Sequence, residues 1–505
     1  MFGRKSNAVK VEPMDQYNQL LVDHVHPSDW KNPNPRSKYN LVVVGAGSAG
    51  LITAAAAAGL GAKVALVEKH LMGGDCLNHG CVPSKALIRA AKAVNEVRKA
   101  PVFGVDAQLQ TIDFSKVMER LRRIRSDISH HDSAKRFSEI GIDVFLGQGS
   151  FIDESTIEVD GSKLNFKKAC IATGAKATKI PLDGIKQDEL LTNETIFSLT
   201  ELPKRLAIVG GGPIGCELAQ TFARLGSEVT IFERGPQFLT REDPDAASIL
   251  KSQMEKDGVS IKLNSTIFSG KKEGNSYKLF YCVGSEAETS LEVDRILMAV
   301  CRSSNLDGLE VEKAGVEFSK NGVEVDDYLR TSNKKIFAAG DVCMRHKFTH
   351  AADFAARAVV RNALFFGRAK LSALNIPWAT YTDPEIAHVG IYGHSSDEPV
   401  DTYFKPFKEV DRAILDEATD GFVKIHTKKG SGKIVGATIV GPHAGDQISE
   451  VSVAMAAGMK LGKLANVIHP YPTQSEAIRQ TGDLYNKTKL TPLTKTFLKS
   501  LVKFS

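Results

Sequence analysis

Gly73-Gly74-Asp75-Cys76-Leu77-Asn78-His79-Gly80-Cys81-Val82-Pro83-Ser84-Lys85 sets two cysteines five positions apart, downstream of a glycine-rich turn, Gly45-Ala46-Gly47-Ser48-Ala49-Gly50. In a regular helix, residues at that spacing lie on different faces, with Cα atoms too far apart for a disulfide. Asn78 and Gly80 allow the chain to wind irregularly and bring the sulfurs together, and Pro83 suits the first turn of a following helix. Cys81 would then stand near a helix N-terminus, where a thiolate is stabilised. Two unconnected thiols, or half of a zinc site, are the alternatives. No second cysteine or histidine pair with ligand spacing accompanies them, so no structural metal is expected.

Working outward, the glycine turn follows an apolar strand, Tyr39 to Val44, opens an Ala-rich helix and leads to a second strand ending in Glu68. The same unit recurs downstream. Arg205 to Val209 reads as a strand, Gly210-Gly211-Gly212-Pro213-Ile214-Gly215 as the turn, Cys216 to Leu225 as the helix, and Glu228 to Phe232 as the next strand, with Glu233 at its end. Gly45 and Glu68 are 23 positions apart, as are Gly210 and Glu233, so one module is used twice. Glycine lets a backbone approach a pyrophosphate, and the helix N-terminus supplies unpaired N–H groups; the terminal acid is placed to accept ribose hydroxyls. A tight turn without a ligand is the alternative. The candidate dinucleotide contacts are Gly45, Gly47, Ser48, Ala49, Gly50, Glu68 and Lys69 in the first copy. In the second they are Gly210, Gly212, Pro213, Ile214, Gly215, Glu217 and Glu233. An acid at 233 repels a 2′-phosphate and favours NADH over NADPH; Arg234 and Arg241 weigh the other way.

The 505 residues exceed what one core supports, so three or four domains are expected. Apolar content of 42% and charged content of 25% describe an ordinary globular chain. The formal charge of +6 is concentrated: residues 487–505 hold Lys487, Lys489, Lys495, Lys499 and Lys503 and no acid. The rest is near neutral, and no basic-aromatic motif points to nucleic acid. The cysteines outside the pair (Cys170, Cys216, Cys282, Cys301, Cys343) are scattered singly, which suits a reducing compartment, and the first forty residues lack the apolar stretch of a secretory signal. A cytoplasmic protein is the expectation. Residues 39–62 carry no charge and could pass for a membrane span; their five glycines favour strand, turn and helix.

Residues 1–38 are polar and contain Pro27, Pro33 and Pro35, with Trp30 as the one large anchor; a strap over the body or partial disorder is expected. Helices are predicted over Ser84 to Lys99 and Phe114 to Gly141, and short strands from Leu146 to Ile171. A further apolar strand ends in Gly340-Asp341. Beyond Pro377 come strands with a hairpin at Lys429-Gly430-Ser431-Gly432, then helices at 444–459 and 474–486.

The redox string, Ala172-Thr173-Gly174 and Ile336-Phe337-Ala338-Ala339-Gly340-Asp341-Val342 together resemble the flavin-dependent pyridine nucleotide–disulfide oxidoreductases, over about residues 39–486. The resemblance implies an α/β fold with two Rossmann-like FAD- and NAD(P)-binding domains plus an α+β C-terminal dimerisation domain. The implied segments are an N-terminal extension (1–38), the FAD-binding domain (39–185, resumed over a central part, 306–375), the NAD(P)-binding domain (186–305), the dimerisation domain (376–486) and a basic amphipathic tail (487–505). It also implies FAD contacts from Gly74, Asp75, Lys85, Ala172, Thr173, Gly174, Gly340 and Asp341, with Asp341 at the ribityl chain. Cys81 would face the flavin, Cys76 would exchange with the acceptor, and Lys85 would lie near flavin N5, paired with Glu217. Electrons would pass from NAD(P)H to FAD, to the Cys76–Cys81 disulfide, and on to a small-molecule or metal-ion acceptor, in a homodimer.

Members that reduce organic disulfides carry His-Pro-Thr followed by Glu. Here the string is His469-Pro470-Tyr471-Pro472-Thr473-Gln474-Ser475-Glu476, with Tyr471 at the place of the proton-carrying histidine and Glu476 retained. Tyrosine titrates near 10 against about 6.5 for histidine, so Tyr471 is a poor base at neutral pH. It could still donate a hydrogen bond or lend its oxygen to a metal ion, or be packing alone. His469 could supply a proton or be structural. Tyr471, with Trp378-Ala379-Thr380-Tyr381-Thr382-Asp383-Pro384-Glu385 and Arg241-Glu242-Asp243-Pro244, is similar to the mercuric reductase subgroup, in which Cys76 and Cys81 would be ligands of the substrate Hg(II). Three features depart from that subgroup. The sequence ends Leu501-Val502-Lys503-Phe504-Ser505, without the subgroup's vicinal cysteine pair; it has no N-terminal metal-binding domain; and Cys301 stands where glycine is usual. A dihydrolipoamide dehydrogenase-type enzyme is the second reading. A flavoprotein that docks through 487–505 is a third, because Leu490, Leu493, Phe497, Leu501 and Phe504 recur near helical spacing between lysines, which suits a weak membrane or protein contact. A helix packed on the dimer is the plainer alternative for that tail.

Overall fold

A computed structural model describes residue 9, residues 11–396 and residues 398–504. The expectations for residues 1–8 and 10 lie outside the described residues. The chain divides into two compact units, one of residues 1–232 and 265–374, the other of 233–264 and 375–505.

The first unit is built on a sheet whose strands are β1 (Tyr39–Val44), β2 (Val64–Glu68), β3 (Asp143–Leu146), β4 (Gly149–Asp153), β5 (Thr156–Val159) and β6 (Ser162–Ile171), in the order β3-β2-β1-β6-β5-β4. β3, β2, β1 and β6 run parallel, and β4-β5-β6 is an antiparallel meander. The strand Ile336–Ala338 joins β6 in parallel. β1 reads Tyr-Asn-Leu-Val-Val-Val and is almost wholly buried, as a central parallel strand covered on both faces must be. The stretch weighed as a membrane span is β1 and the helix α2 below; no helix among the described residues is long and apolar enough to cross a membrane.

The helices that position the redox string are α1 (Gln16–Val25), α2 (Ser48–Gly59), α3 (Gly74–Asn78), α4 (Cys81–Lys99) and α5 (Phe114–Ser129). α4 starts three residues earlier than predicted, at Cys81. The helix expected over 114–141 is instead two: α5 ends at Ser129, a tight turn covers His130–Asp132, and the Ser133 hydroxyl accepts from Arg136 N to start the helix Ala134–Glu139. A serine in extended conformation is a strong start signal inside what looked like one periodic run.

α1 was not foreseen. Asp15 caps it by accepting from the amides of Tyr17 and Asn18, and Leu21, Val22 and Val25 are buried. After α1 the chain straps the sheet edge. Trp30 Nε1 donates to Val144 O (3.2 Å), and the Asn32 side chain both donates to Leu146 O (3.1 Å) and accepts from Leu146 N (2.8 Å). Arg36 pairs with Asp143 at 2.8 Å.

The second copy of the strand–turn–helix module lies in the same unit. Strands Arg205–Val209, Glu228–Phe232 and Arg295–Met298 are parallel, with the helix Pro213–Leu225 between the first two. An antiparallel meander of Ser265–Glu273, Ser276–Val283 and Thr289–Val293 follows.

The other unit carries a five-stranded antiparallel sheet from Trp378–Thr380 to Ile434–Gly441, with helices Ala444–Ala456 and Glu476–Thr488. Ile425, Ile439, Val451 and Ile478 share its core. Two strings that carried the resemblance meet inside this unit. Buried Glu242 accepts from Trp378 Nε1 (2.8 Å) and Tyr392 OH (2.6 Å), and burial raises its pKa. Asp243 and Asp245 both take the Lys424 ammonium. Those strings therefore report a structural clamp.

Candidate active site

The two glycine turns are superimposable in their steric logic. A Cβ on Gly45 would lie 2.3 Å from Ala172 O, and on Gly210 2.6 Å from Ala299 O; on Gly50 or Gly215 it would strike the carbonyl of Gly45 or Gly210. Those four glycines are demanded by strand–helix packing. The middle glycines are not. A Cβ on Gly212 would meet nothing within 4 Å, and on Gly47 only Gly74 Cα at 3.6 Å. Both precede a helix with no side-chain cap. Glycine at these two places is explained by a ligand that must reach the backbone, which is how a dinucleotide pyrophosphate binds.

Around the first turn, the Glu68 carboxylate accepts from Ala46 N (2.7 Å) and His70 N (2.8 Å), and its pKa is raised by burial. Glu68, Lys69 and Thr173 line an open cleft with Gly45 and Asn305. Thr173 Oγ1 is buried with no protein hydrogen-bond partner, an orphan that a bound cofactor would satisfy. Asp341 follows the strand Ile336–Ala338, and Gly340 packs on Ala49 of α2, so Asp341 reaches the end of the parallel sheet where the β1 and β6 turns lie. Burial raises its pKa, against Arg302 and Lys347. These residues fit an FAD.

The redox string breaks where predicted. α3 ends at Asn78, whose side-chain amide braces the loop by donating to Met72 O (3.0 Å) and Gly74 O (2.8 Å), and Cys81 is the first residue of α4. Cys76 and Cys81 are free thiols, half-buried and exposed respectively. Cys76 donates to the Cys81 sulfur, and Thr349, the first residue of the helix Thr349–Leu364, lies 3.4 Å from it through Oγ1. The Cys81 pKa is lowered to about 6, chiefly by the Cys76 hydrogen bond, then by Thr349 and Lys85, with desolvation opposing. Cys76 is raised, first by its role as that donor and then by burial. Cys81 is thus the thiolate and Cys76 the thiol that shares its proton with it.

Lys85 Nζ lies 2.7 Å from Glu217 Oε2, and Glu217 is buried on the helix Pro213–Leu225, which packs on α4. The expected pair is therefore present. Asp75, expected among the flavin contacts, has both oxygens engaged: Oδ2 accepts from Arg302 Nη1 (2.9 Å) and Oδ1 from Asn193 Nδ2 (3.0 Å). Arg302 also donates to Ala175 O (2.7 Å) and stands 3.8 Å from Asp341. His79 is kept neutral by burial, its pKa pushed down to about 4. Arg125 on α5 joins the Asn78 carbonyl (2.8 Å) to Asn18 of α1 (2.6 Å), so the N-terminal helix buttresses the redox loop.

Thr349, Arg302, Asn193 and Arg125 were missed by sequence reasoning. Only Arg302 had a signal, its place beside Cys301. Cys301 is exposed, and its backbone lies outside the left-handed region, so a side chain is accommodated there without strain.

In the other unit, Tyr471 is 70% exposed on the single chain. Its hydroxyl donates to Asp411 Oδ2 (2.9 Å), which raises its pKa. Glu476 is held by Arg479 at 3.0 Å. His469 is half-buried, with Nε2 2.8 Å from Glu450 and Nδ1 3.0 Å from Val467 O. Both ring nitrogens of His469 thus have partners within its own unit. Glu233 accepts from Gly235 N at 2.8 Å, the same short-range bond that Glu68 makes with His70.

Residues 39–356 match the family profile described as pyridine nucleotide-disulphide oxidoreductase, and residues 376–481 match the dimerisation domain of the same group. Mercuric reductase from Lysinibacillus sphaericus is 32% identical over 453 residues, 89% of this chain and 83% of that protein. Dihydrolipoyl dehydrogenase from Geobacillus stearothermophilus is 33% identical over 463 residues, covering 90% and 97%. Among solved structures, the HOCl-induced flavoprotein disulfide reductase RclA from Escherichia coli superposes with a TM-score of 0.78 at 28% identity, covering 88% of this chain and 100% of that one. LpdA from Mycobacterium tuberculosis gives 0.81 at 26% identity, covering 89% and 100%. Matched over most of its length in this way, the chain belongs to the pyridine nucleotide-disulphide oxidoreductases, FAD-dependent enzymes linked to NAD(P)H.

Proposed function

We propose that the protein is a mercuric reductase-like enzyme of this family, which passes electrons from NAD(P)H through FAD to Cys76–Cys81 and on to a soft metal ion such as Hg(II), or to a small disulfide. The observation that carries the choice of acceptor is Tyr471, an exposed phenol whose pKa is raised by Asp411. Reducing an organic disulfide leaves a thiolate that needs a proton, and a phenol at neutral pH is a poor relay for it. A soft metal ion taken between two sulfurs requires no such relay, because thiolates are its preferred ligands.

Bound FAD would supply a two-electron carrier between nicotinamide and disulfide. The Gly45–Gly50 turn and Glu68 would hold its pyrophosphate and ribose, Asp341 its ribityl chain, and Lys85, fixed by Glu217, would stand near N5. Cys81 keeps its negative charge at neutral pH through Cys76, Thr349 and Lys85. Cys76, the protonated partner, is the sulfur that exchanges with the acceptor and gives up its proton as it does so. Glu233 supports NADH over NADPH, since a carboxylate repels a 2′-phosphate. A homodimer is the expected assembly: Val467 and Ile468 are exposed beside Tyr471, with Ile468 at 95%.

A steady-state panel with NADH and NADPH tests the reading against Hg(II), lipoamide, glutathione disulfide, bis-cysteine and a quinone. Turnover with Hg(II) should exceed that with lipoamide by at least about tenfold in kcat/KM. A higher value for lipoamide would replace the proposal with a dihydrolipoyl dehydrogenase-type activity. The two-electron-reduced holoenzyme should show a long-wavelength thiolate–flavin absorbance that Cys81→Ser removes.

A further inference from the structure

The helix Pro492–Phe504 stands apart from the packing that explains the rest of the chain. Every described residue from Asn486 to Lys503 is exposed except Thr494, which is half-buried. Leu493 is 84% exposed, Phe497 64% and Leu501 49%. A helix of this length is marginal in water on its own, because few backbone bonds offset the cost of nucleation; such helices are held by burying one face. No residue of the described chain covers the Leu493–Phe497–Leu501 face to that extent.

The large apolar residues and the lysines occupy opposite sides of this helix. Leu493, Phe497 and Leu501 recur at every fourth residue, and Lys495, Lys499 and Lys503 recur at the same interval, displaced by two residues. At 3.6 residues per turn, two residues are about 200° apart, so the lysine stripe lies opposite the apolar stripe. Thr496 falls on the polar side and Leu498 widens the apolar one, while Ser500 lies at the edge of the apolar stripe and Val502 at the edge of the lysine stripe. No acid occurs after Asp483, while Lys487 and Lys489 add positive charge just before the helix.

Charge decides between possible occupants. An interface buried against a second copy of the chain is ordinarily depleted of lysine and enriched in arginine and tyrosine. This segment has five lysines, no arginine and no acid to pair with them. Lysine stems lie along apolar surface while their heads stay in a polar layer, and a lysine face opposite a Leu/Phe face is the pattern of helices that lie in the plane of an anionic bilayer surface.

We propose that the helix Pro492–Phe504 docks the protein on an anionic lipid surface. Leu493, Phe497 and Leu501 enter the acyl boundary and Lys495, Lys499 and Lys503 meet the headgroups. The enzyme would then work at a membrane face without spanning it. The proposal is independent of the identity of the electron acceptor, since none of these residues belongs to the site described above.

The test is co-sedimentation of the full-length holoenzyme with vesicles of phosphatidylcholine alone and of phosphatidylcholine mixed with phosphatidylglycerol. Binding should require the anionic lipid and weaken in high salt, as the interaction of exposed charges is screened. Phe497→Glu, and separately Lys495→Gln with Lys499→Gln and Lys503→Gln, should each lower the bound fraction at least tenfold, with NADH oxidation and melting temperature unchanged. Phe497→Trp should shift its emission to the blue on anionic vesicles only. No vesicle binding, or binding indifferent to all these substitutions, overturns the proposal. So does a Phe497→Glu variant that loses its dimer in sedimentation, because that assigns the face to a second copy of the chain.

Discussion

At the scale of single residues, the site turns on which sulfur keeps the proton. Cys81 is at the head of α4, receives hydrogen bonds from Cys76 and Thr349, and lies in the field of Lys85; its pKa falls to about 6 while that of Cys76 rises. A thiol with a lowered pKa is a thiolate above that value and loses its charge as the pH falls through it. Alkylation of Cys81 in the reduced enzyme should therefore stay fast down to about pH 6 and drop below it. Cys76→Ala removes the strongest donor, so the midpoint should move up toward the ordinary thiol value of about 8.5. Thr349→Val should move it the same way by less. An unchanged midpoint in Cys76→Ala, read by mass spectrometry of iodoacetamide adducts, would show that the charge is held by something else. The location of the thiolate was legible from Pro83 and the broken spacing. Its principal helper outside the string was not: Thr349 is distant in sequence and reaches Cys81 only because the strand Ile336–Ala338 pairs with β6.

At the scale of elements, the repeated strand–turn–helix module was readable because its two copies agree in length and in the place of three glycines and an acid. The structure separates what the glycines do. Gly45→Ala would force a left-handed residue (φ 102°) and a contact with Ala172 O, and should destabilise the fold by about 1–3 kcal/mol or more. Gly212→Ala meets no protein atom, so its melting temperature should stay near that of the parent, while the KM for NADH should rise several-fold. Thermal melts beside nicotinamide titrations distinguish the two; equal losses of stability would remove the assignment of Gly212 to ligand approach. Helix boundaries were less legible. The run from Phe114 looked continuous because its apolar period persists past Ser129, and only the Ser133 cap shows where the chain restarts. Similarly, nothing in the polar composition of residues 1–38 announced α1, which is held by tertiary partners such as Arg125.

At the scale of the whole molecule, the proposed dimer and the proposed lipid contact both rest on what is left exposed. Ile468 and Tyr471 form an apolar projection on the segment clipped by His469 and Glu450. Such exposure is unusual in a stable monomer. Ile468→Asp should shift the sedimentation of the enzyme from dimer to monomer with little change in the flavin spectrum; a wild-type enzyme that sediments as a fully active monomer would refute the dimer. The resemblance implies the same dimer, and the sequence does not otherwise point to it, because exposure is a property of the folded chain.

The strap has a consequence for how copies of the molecule behave in a crowd. β3 ends the parallel side of its sheet and, uncovered, would offer its backbone groups to any passing strand. Trp30 and Asn32 occupy those groups at Val144 and Leu146 with side chains instead of a further strand. The ladder is thereby capped against a further strand by a segment that contributes none of its own, a side-chain guard on an edge that would otherwise invite pairing.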